Sequence, residues 1–173
     1  MRYNTASNNT AFGRSALGSN TTGTKNTAVG SNSADAITTG NFNVALGSDS
    51  LTANTTGSSN TALGVEALKA NTTASNNVAI GKDAMIANTT GASNVAVGAN
   101  AGDSITTGNQ NTLIGTSADV DSATRIGACS LGFNVTTHSA DTSFRVVGVG
   151  GVYNTGNTSS WNTTSDRRIK KNI

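Results

Sequence analysis

Asn26-Thr27-Ala28-Val29-Gly30, Asn43-Val44-Ala45-Leu46-Gly47, Asn60-Thr61-Ala62-Leu63-Gly64 and Asn77-Val78-Ala79-Ile80-Gly81 are one phrase written four times at a spacing of 17 residues. The same phrase starts at Asn9, Asn94 and Asn111, so seven pentads share one interval. A second phrase, Thr-Thr and usually Gly, follows twelve positions after each Asn in the first six units; Gly23, Gly40, Gly57, Gly91 and Gly108 end it, and Ala74 replaces the Gly in the fourth. A fixed period of this length marks an array of stacked units that bury their apolar groups against one another.

Gly, Asn and paired Thr inside every unit disfavour helices, so each unit reads as one coil of a parallel β-solenoid. Within a pentad the second and fourth residues (Thr or Val, then Phe, Val, Leu or Ile) share one face, and the third and fifth (Ala or Leu, then Gly) share the other. One face is therefore bulky and the other nearly bare, and the bare face is expected to need covering. Three copies of the chain about an axis would supply the cover and protect the sheet edges, which makes a homotrimer the expected assembly. The Gly after Thr-Thr reads as a turn residue with φ > 0. The seven first-position residues, Asn9, Asn26, Asn43, Asn60, Asn77, Asn94 and Asn111, are expected to stack as a structural amide column, and the Thr pairs as two hydroxyl columns. Seven coils at ~4.8 Å each make a rod roughly 30 Å tall.

Further along the unit, the ninth and twelfth positions read Leu17/Asn20, Leu51/Asn54, Leu68/Asn71 and Met85/Asn88, but Ala34/Ile37 and Gly102/Ile105 in the other two of the first six units. Each coil supplies one large apolar group from this pair and never two. Such volume compensation is expected where both positions address one close-packed interior layer. The sixth, seventh, tenth and seventeenth positions carry nearly all the charges of the repeat and should face solvent.

Leu, Ile, Val and Phe number only 31 of 173 residues, too few for an ordinary globular core, while Asn, Thr, Ser and Gly number 91. A net charge of +2 argues against the disorder such polarity would otherwise suggest. Residues 1–160 carry seven Lys/Arg and eight Asp/Glu, so no basic stripe runs along the body and nucleic acid is not an expected partner. No apolar run is long enough for a membrane span or a signal-peptide core, so membrane insertion is not expected either. Cys129 is the single cysteine. The acids are scattered: Asp119 and Asp121 read as a solvated turn where the repeat ends, and His138 stands alone. No catalytic pair, cofactor site or metal site is expected, and the chain is not expected to be an enzyme. Regular Thr columns also raise an ice-binding reading, weakened because each Thr-Thr pair leaves a single outward column.

After Asp121 the pentad pattern stops, and 144–153 reads as an apolar strand followed by a Gly-rich turn. The expected organisation is a lead-in over 1–8, a seven-coil β-solenoid over 9–123, a C-terminal β cap or neck over 124–160, and a distinct terminal segment over 161–173.

The pentads NTAVG, NVAIG and NVAVG resemble the head repeats of trimeric autotransporter adhesins, a resemblance that implies a left-handed parallel β-roll with three chains side by side. Thr164-Ser165-Asp166-Arg167-Arg168-Ile169-Lys170-Lys171-Asn172-Ile173 resembles the opening of the intramolecular chaperone domain at the end of phage tail fibres and endosialidase-type tailspikes. That resemblance implies trimer assembly followed by release of the chaperone, with Ser165 as the nucleophile of self-cleavage and Lys170, five residues on, as its base in the full-length precursor. The expected function is therefore a structural and receptor-adhesion segment of a trimeric phage tail fibre or similar virion appendage. It would lie on the virion or another extracellular surface and meet host glycans or a receptor through hydroxyl- and amide-rich flanks. The alternative is the head of a bacterial trimeric surface adhesin.

Overall fold

The computed structural model describes residues 6–137 together with the backbone of strands Phe144–Val146, Val152–Asn154 and Asn162–Thr163; among these residues all regular structure is β and no helix occurs. The middle three residues of the seven pentads form β1 (Thr10–Phe12), β2 (Thr27–Val29), β3 (Val44–Leu46), β4 (Thr61–Leu63), β5 (Val78–Ile80), β6 (Val95–Val97) and β7 (Thr112–Ile114). They pair in parallel and in sequence order, every residue opposite the one 17 positions on, as Thr61↔Val78, Ala62↔Ala79 and Leu63↔Ile80. The chain is a parallel β-solenoid.

The stack extends one coil beyond the last Asn pentad. After β8 (Asp119–Val120), β9 (Cys129–Leu131) lies in parallel on β7 with Thr112 opposite Cys129, the same step of 17. Ala128-Cys129-Ser130-Leu131-Gly132 is thus an eighth pentad that has lost its Asn. Within the same coil β10 (Thr136–Thr137) pairs in parallel with β8. Three strands then continue the main sheet: β11 (Phe144–Val146) is parallel to β9, and β12 (Val152–Asn154) and β13 (Asn162–Thr163) are antiparallel. The seven steps from β1 to β9 span ~34 Å at the usual strand spacing.

Backbone hydrogen bonds between coils are not confined to the strands. Ninth-position amides reach the next coil at Leu51 N to Ala67 O (2.9 Å) and Leu68 N to Ala84 O (3.0 Å), and the thirteenth position does so at Thr72 N to Thr89 O (3.0 Å). Corners between these walls need left-handed backbone. In the third coil Asp49 (φ 56°), Leu51 (φ 52°) and Ser59 (φ 59°) supply it, and the pentad Gly47 has φ 138°. A leucine at positive φ is unfavourable by itself, and burial of its side chain offsets the cost.

The Gly after Thr-Thr differs from expectation. Gly23, Gly40, Gly57, Gly91 and Gly108 are not in the left-handed region, whereas the pentad glycines such as Gly64 (φ 140°) are. A side chain after Thr-Thr is opposed by crowding: a Cβ at Gly57 would run into the carbonyl oxygen of Ala74 and the Asn54 side chain.

The two faces of the pentad are also the reverse of the expected arrangement. Ala28, Ala45, Ala62, Ala79 and Ala96 are fully buried inside their own chain, while the fourth-position row points outward, with Phe12 at 76% exposure and Ile114 at 42%. The physical reason lies across the coil. Leu17, Ile37, Leu51, Leu68, Met85 and Ile105 from the ninth or twelfth position are all fully buried, in one core with the alanine row. A slender coil with a large side chain from one wall has room for only a methyl group from the other. The alanines need no second chain to cover them.

Compensation continues one level further. Gly102 leaves its ninth place vacant; Ile105 fills it from the twelfth, and Leu113 of the next coil, where alanine is the rule, reaches to 3.0 Å from where a Gly102 Cβ would lie.

Candidate interaction surface

The first-position asparagines form a continuous ladder, partly buried at Asn9 and buried from Asn26 to Asn111. Asn43 Oδ1 accepts from the Asn60 amide (3.0 Å) and from Asn60 Nδ2 (3.1 Å); Asn60 Oδ1 accepts from the Asn77 amide (3.1 Å), and Asn94 Oδ1 from the Asn111 amide (2.9 Å). The column starts with Asn9, whose Oδ1 accepts from the Asn26 amide, and ends where Asn111 Oδ1 receives the Ala128 amide (2.9 Å). Each Nδ2 also closes its own coil, as Asn77 Nδ2 does on the Gly91 carbonyl (2.8 Å). The twelfth-position asparagines meet the same carbonyls, as Asn88 Nδ2 does at Gly91 (3.0 Å). Their column runs from Asn54 through Asn71 to Asn88 and stops at Ile105. The Asn88 Oδ1 atom, buried, therefore accepts nothing.

The Thr pairs make one ladder rather than two. Hydroxyls of the first threonines donate to the carbonyl of the equivalent residue in the next coil, as in Thr38 to Thr55 (3.1 Å) and Thr89 to Thr106 (3.0 Å). The second threonines, Thr22, Thr39, Thr56, Thr73, Thr90 and Thr107, are exposed in a row.

Three chemically different surfaces result. The sheet surface presents second- and fourth-position residues and carries no charge in any of the eight coils; Leu46, Leu63, Ile80, Val97, Ile114 and Leu131 form its central row, flanked by Val44, Val78 and Val95. The surface from the sixth to the eleventh position holds the charges, including Asp49, Glu66, Lys69, Lys82 and Asp83, with a Lys69–Glu66 ion pair at 3.1 Å. On the third lie the exposed threonines and the seventeenth position, where Lys25 Nζ sits 4.9 Å from the centroid of the Phe42 ring. The sheet surface is thus an uncharged, outward-facing apolar row that runs the length of the stack.

Cys129 stands on that sheet surface at the second position of the eighth coil, half-buried, and burial pushes its thiol above the ordinary value. Asp121 is exposed and engaged by Arg125, whereas Asp119 is half-enclosed in β8 rather than solvated in a turn. Ser165, Lys170 and His138 lie outside the described residues. Among the described residues no three His, Cys, Asp or Glu side chains gather as a metal ion would need. The outward apolar row was not foreseen from the sequence, because the alanine row was expected to face outward. The clue was the ninth-position leucines, whose bulk had to lie opposite something small. Comparison with protein-family models, with curated proteins and with solved structures gives no match for this chain.

Proposed function

We propose that the chain is a structural and adhesive segment of a trimeric fibre, a phage tail fibre or similar virion appendage. The outward apolar row of the sheet surface is the observation that carries this reading. Coils two to seven display only Val, Leu, Ile and Thr there, Phe12 and Cys129 joining them in the first and eighth, with no charge to prevent close approach, and a regular rod repeats the contact at every step. Three chains packing these surfaces around an axis bury the row and turn the charged surface outward. The threonine surface, hydroxyl-rich and nearly free of charge, then offers hydrogen bonds to host glycans or another receptor. β11 to β13 close the end of the stack, and a chaperone beginning near 161–173, with Ser165 and Lys170 for its release, completes assembly in the precursor.

Mass in solution tests it. The expected species is three times the 17.2 kDa chain, dispersed to monomer by Leu63→Glu with Ile80→Glu on the sheet surface and unaffected by Thr56→Glu with Thr73→Glu on the threonine surface. A stable monomer, or a trimer indifferent to the sheet-surface charges, contradicts the reading.

A further inference from the structure

Asp119 occupies the ninth position of the seventh coil, the place that earlier coils give to Leu17, Leu51, Leu68 or Met85. The backbone changes there. Ninth residues of the first six coils have φ between 49° and 65°, whereas Asp119 is not in the left-handed region and belongs to β8; its amide keeps the usual bond to the next coil, donating to the Val135 carbonyl (2.7 Å). Val120 takes the interior place, and the Asp119 carboxyl faces Asp103 and Ser104 of the coil before it. Its Oδ1 atom is enclosed and accepts no hydrogen bond. An enclosed carboxylate oxygen without a donor is costly, and protonation removes the cost. Two ionised carboxylates facing each other add repulsion, which one shared proton relieves.

The groups around this carboxyl are few. The sixth coil presents Asp103 and Ser104; β10 places Thr136 opposite Asp119; β9 contributes Ser130, whose hydroxyl donates to the Asp119 carbonyl (3.0 Å). Of these only Asp103 carries a carboxyl. Two residues on, Asp121 is held by Arg125. Burial, reinforced by Asp103, pushes the Asp119 carboxyl up from 3.8 to about 6, against the opposing pull of Ser104 and the Val120 amide.

We propose that Asp119 and Asp103 form a proton-operated clasp between the sixth and seventh coils, tight in acid and loosened at neutral pH. The folded state holds a proton that the unfolded chain releases near 3.8, so the stabilisation is complete below about pH 4 and is lost as pH rises through about 6. The clasp sits beside the β8–β10 pair, so it governs how firmly the last regular coils are fastened before β11.

Hydrogen exchange of the full chain, corrected for the intrinsic pH dependence of exchange, tests the clasp. Protection of the 118–121 amides should rise about tenfold from pH 7.5 to pH 5, the change that a carboxyl shifted to about 6 imposes. Asp119→Asn, isosteric and neutral, should hold high protection at both pH values, and Asp103→Asn should reduce the pH response. A wild type with equal protection at both pH values overturns the proposal. So does an Asp119→Asn variant that keeps the wild-type response, and an unchanged response in Asp103→Asn removes Asp103 and with it the pair.

Discussion

Exchanging the two interior arrangements within one coil is the sharpest way to probe the core. The second coil has Ala34 and Ile37 where the third has Leu51 and Asn54, and all four are buried. Ile37→Asn alone deletes a core side chain next to a short alanine and should cost about 3–5 kcal/mol. Ala34→Leu alone forces a second large group into space already filled by Ile37, an overpacking cost of about 1–3 kcal/mol. Together the changes convert the second coil to the arrangement of the third. The new leucine meets no new backbone strain, because φ is 50° at Ala34 and 52° at Leu51. An amide at position 37 finds the Gly40 carbonyl placed as the Gly57 carbonyl is for Asn54 (2.9 Å), with Asn20 and Asn54 above and below it in the column. The double variant should lie within about 1 kcal/mol of wild type, a favourable coupling of at least about 3 kcal/mol. Urea unfolding of the four proteins at one chain concentration measures it through their midpoints. Additive losses in the double variant would refute a shared interior layer.

Two further substitutions probe the corner and the ladder. Gly64→Ala should destabilise by more than about 3 kcal/mol, since φ is 140° and the new Cβ meets the Gly81 carbonyl; Gly57→Ala meets similar crowding from the Ala74 carbonyl but at ordinary φ, and with Ala74 already tolerated one coil on it should cost less in the same unfolding assay. Asn60→Ala should cost about 2–4 kcal/mol by stranding the buried Asn77 amide and the second acceptor site of Asn43 Oδ1, a loss that thermal unfolding at fixed concentration will read out.

Much of this fold was legible in the chain because stacking like on like writes itself as exact periodicity. The interval between Asn43 and Asn60 is the strand register itself, and the alternation of Leu51/Asn54 with Ala34/Ile37 is the core packing read from two positions. Which side of the strand faced inward was not legible from the pentad alone, since alternation divides Ala from Val without saying which is inside. That choice was made by Leu17, Leu51 and Leu68 on the opposite wall. The eighth coil was hidden by Ala128 and Cys129 in place of Asn and Thr, although Gly132 keeps the step of 17 from Gly115. At the ladder's end the Oδ1 of the last Asn still needs a donor from the coil below, but any residue with a backbone amide can supply it, as Ala128 does. The half-enclosed setting of Asp119 was not legible because nothing local signals that β8 replaces a left-handed corner.

Winding in 17-residue turns is tested most directly by distances between spin labels on the exposed threonine row, in a Cys129→Ser background diluted with unlabelled chain. Cysteines replacing Thr22 and, in turn, Thr73, Thr90 or Thr107 should give narrow intrachain separations near ~14, ~19 and ~24 Å, growing by one strand spacing per coil. Steps of ~25 Å, as 17 residues of helix would give, or broad distributions without a uniform increment would contradict the stacked coils.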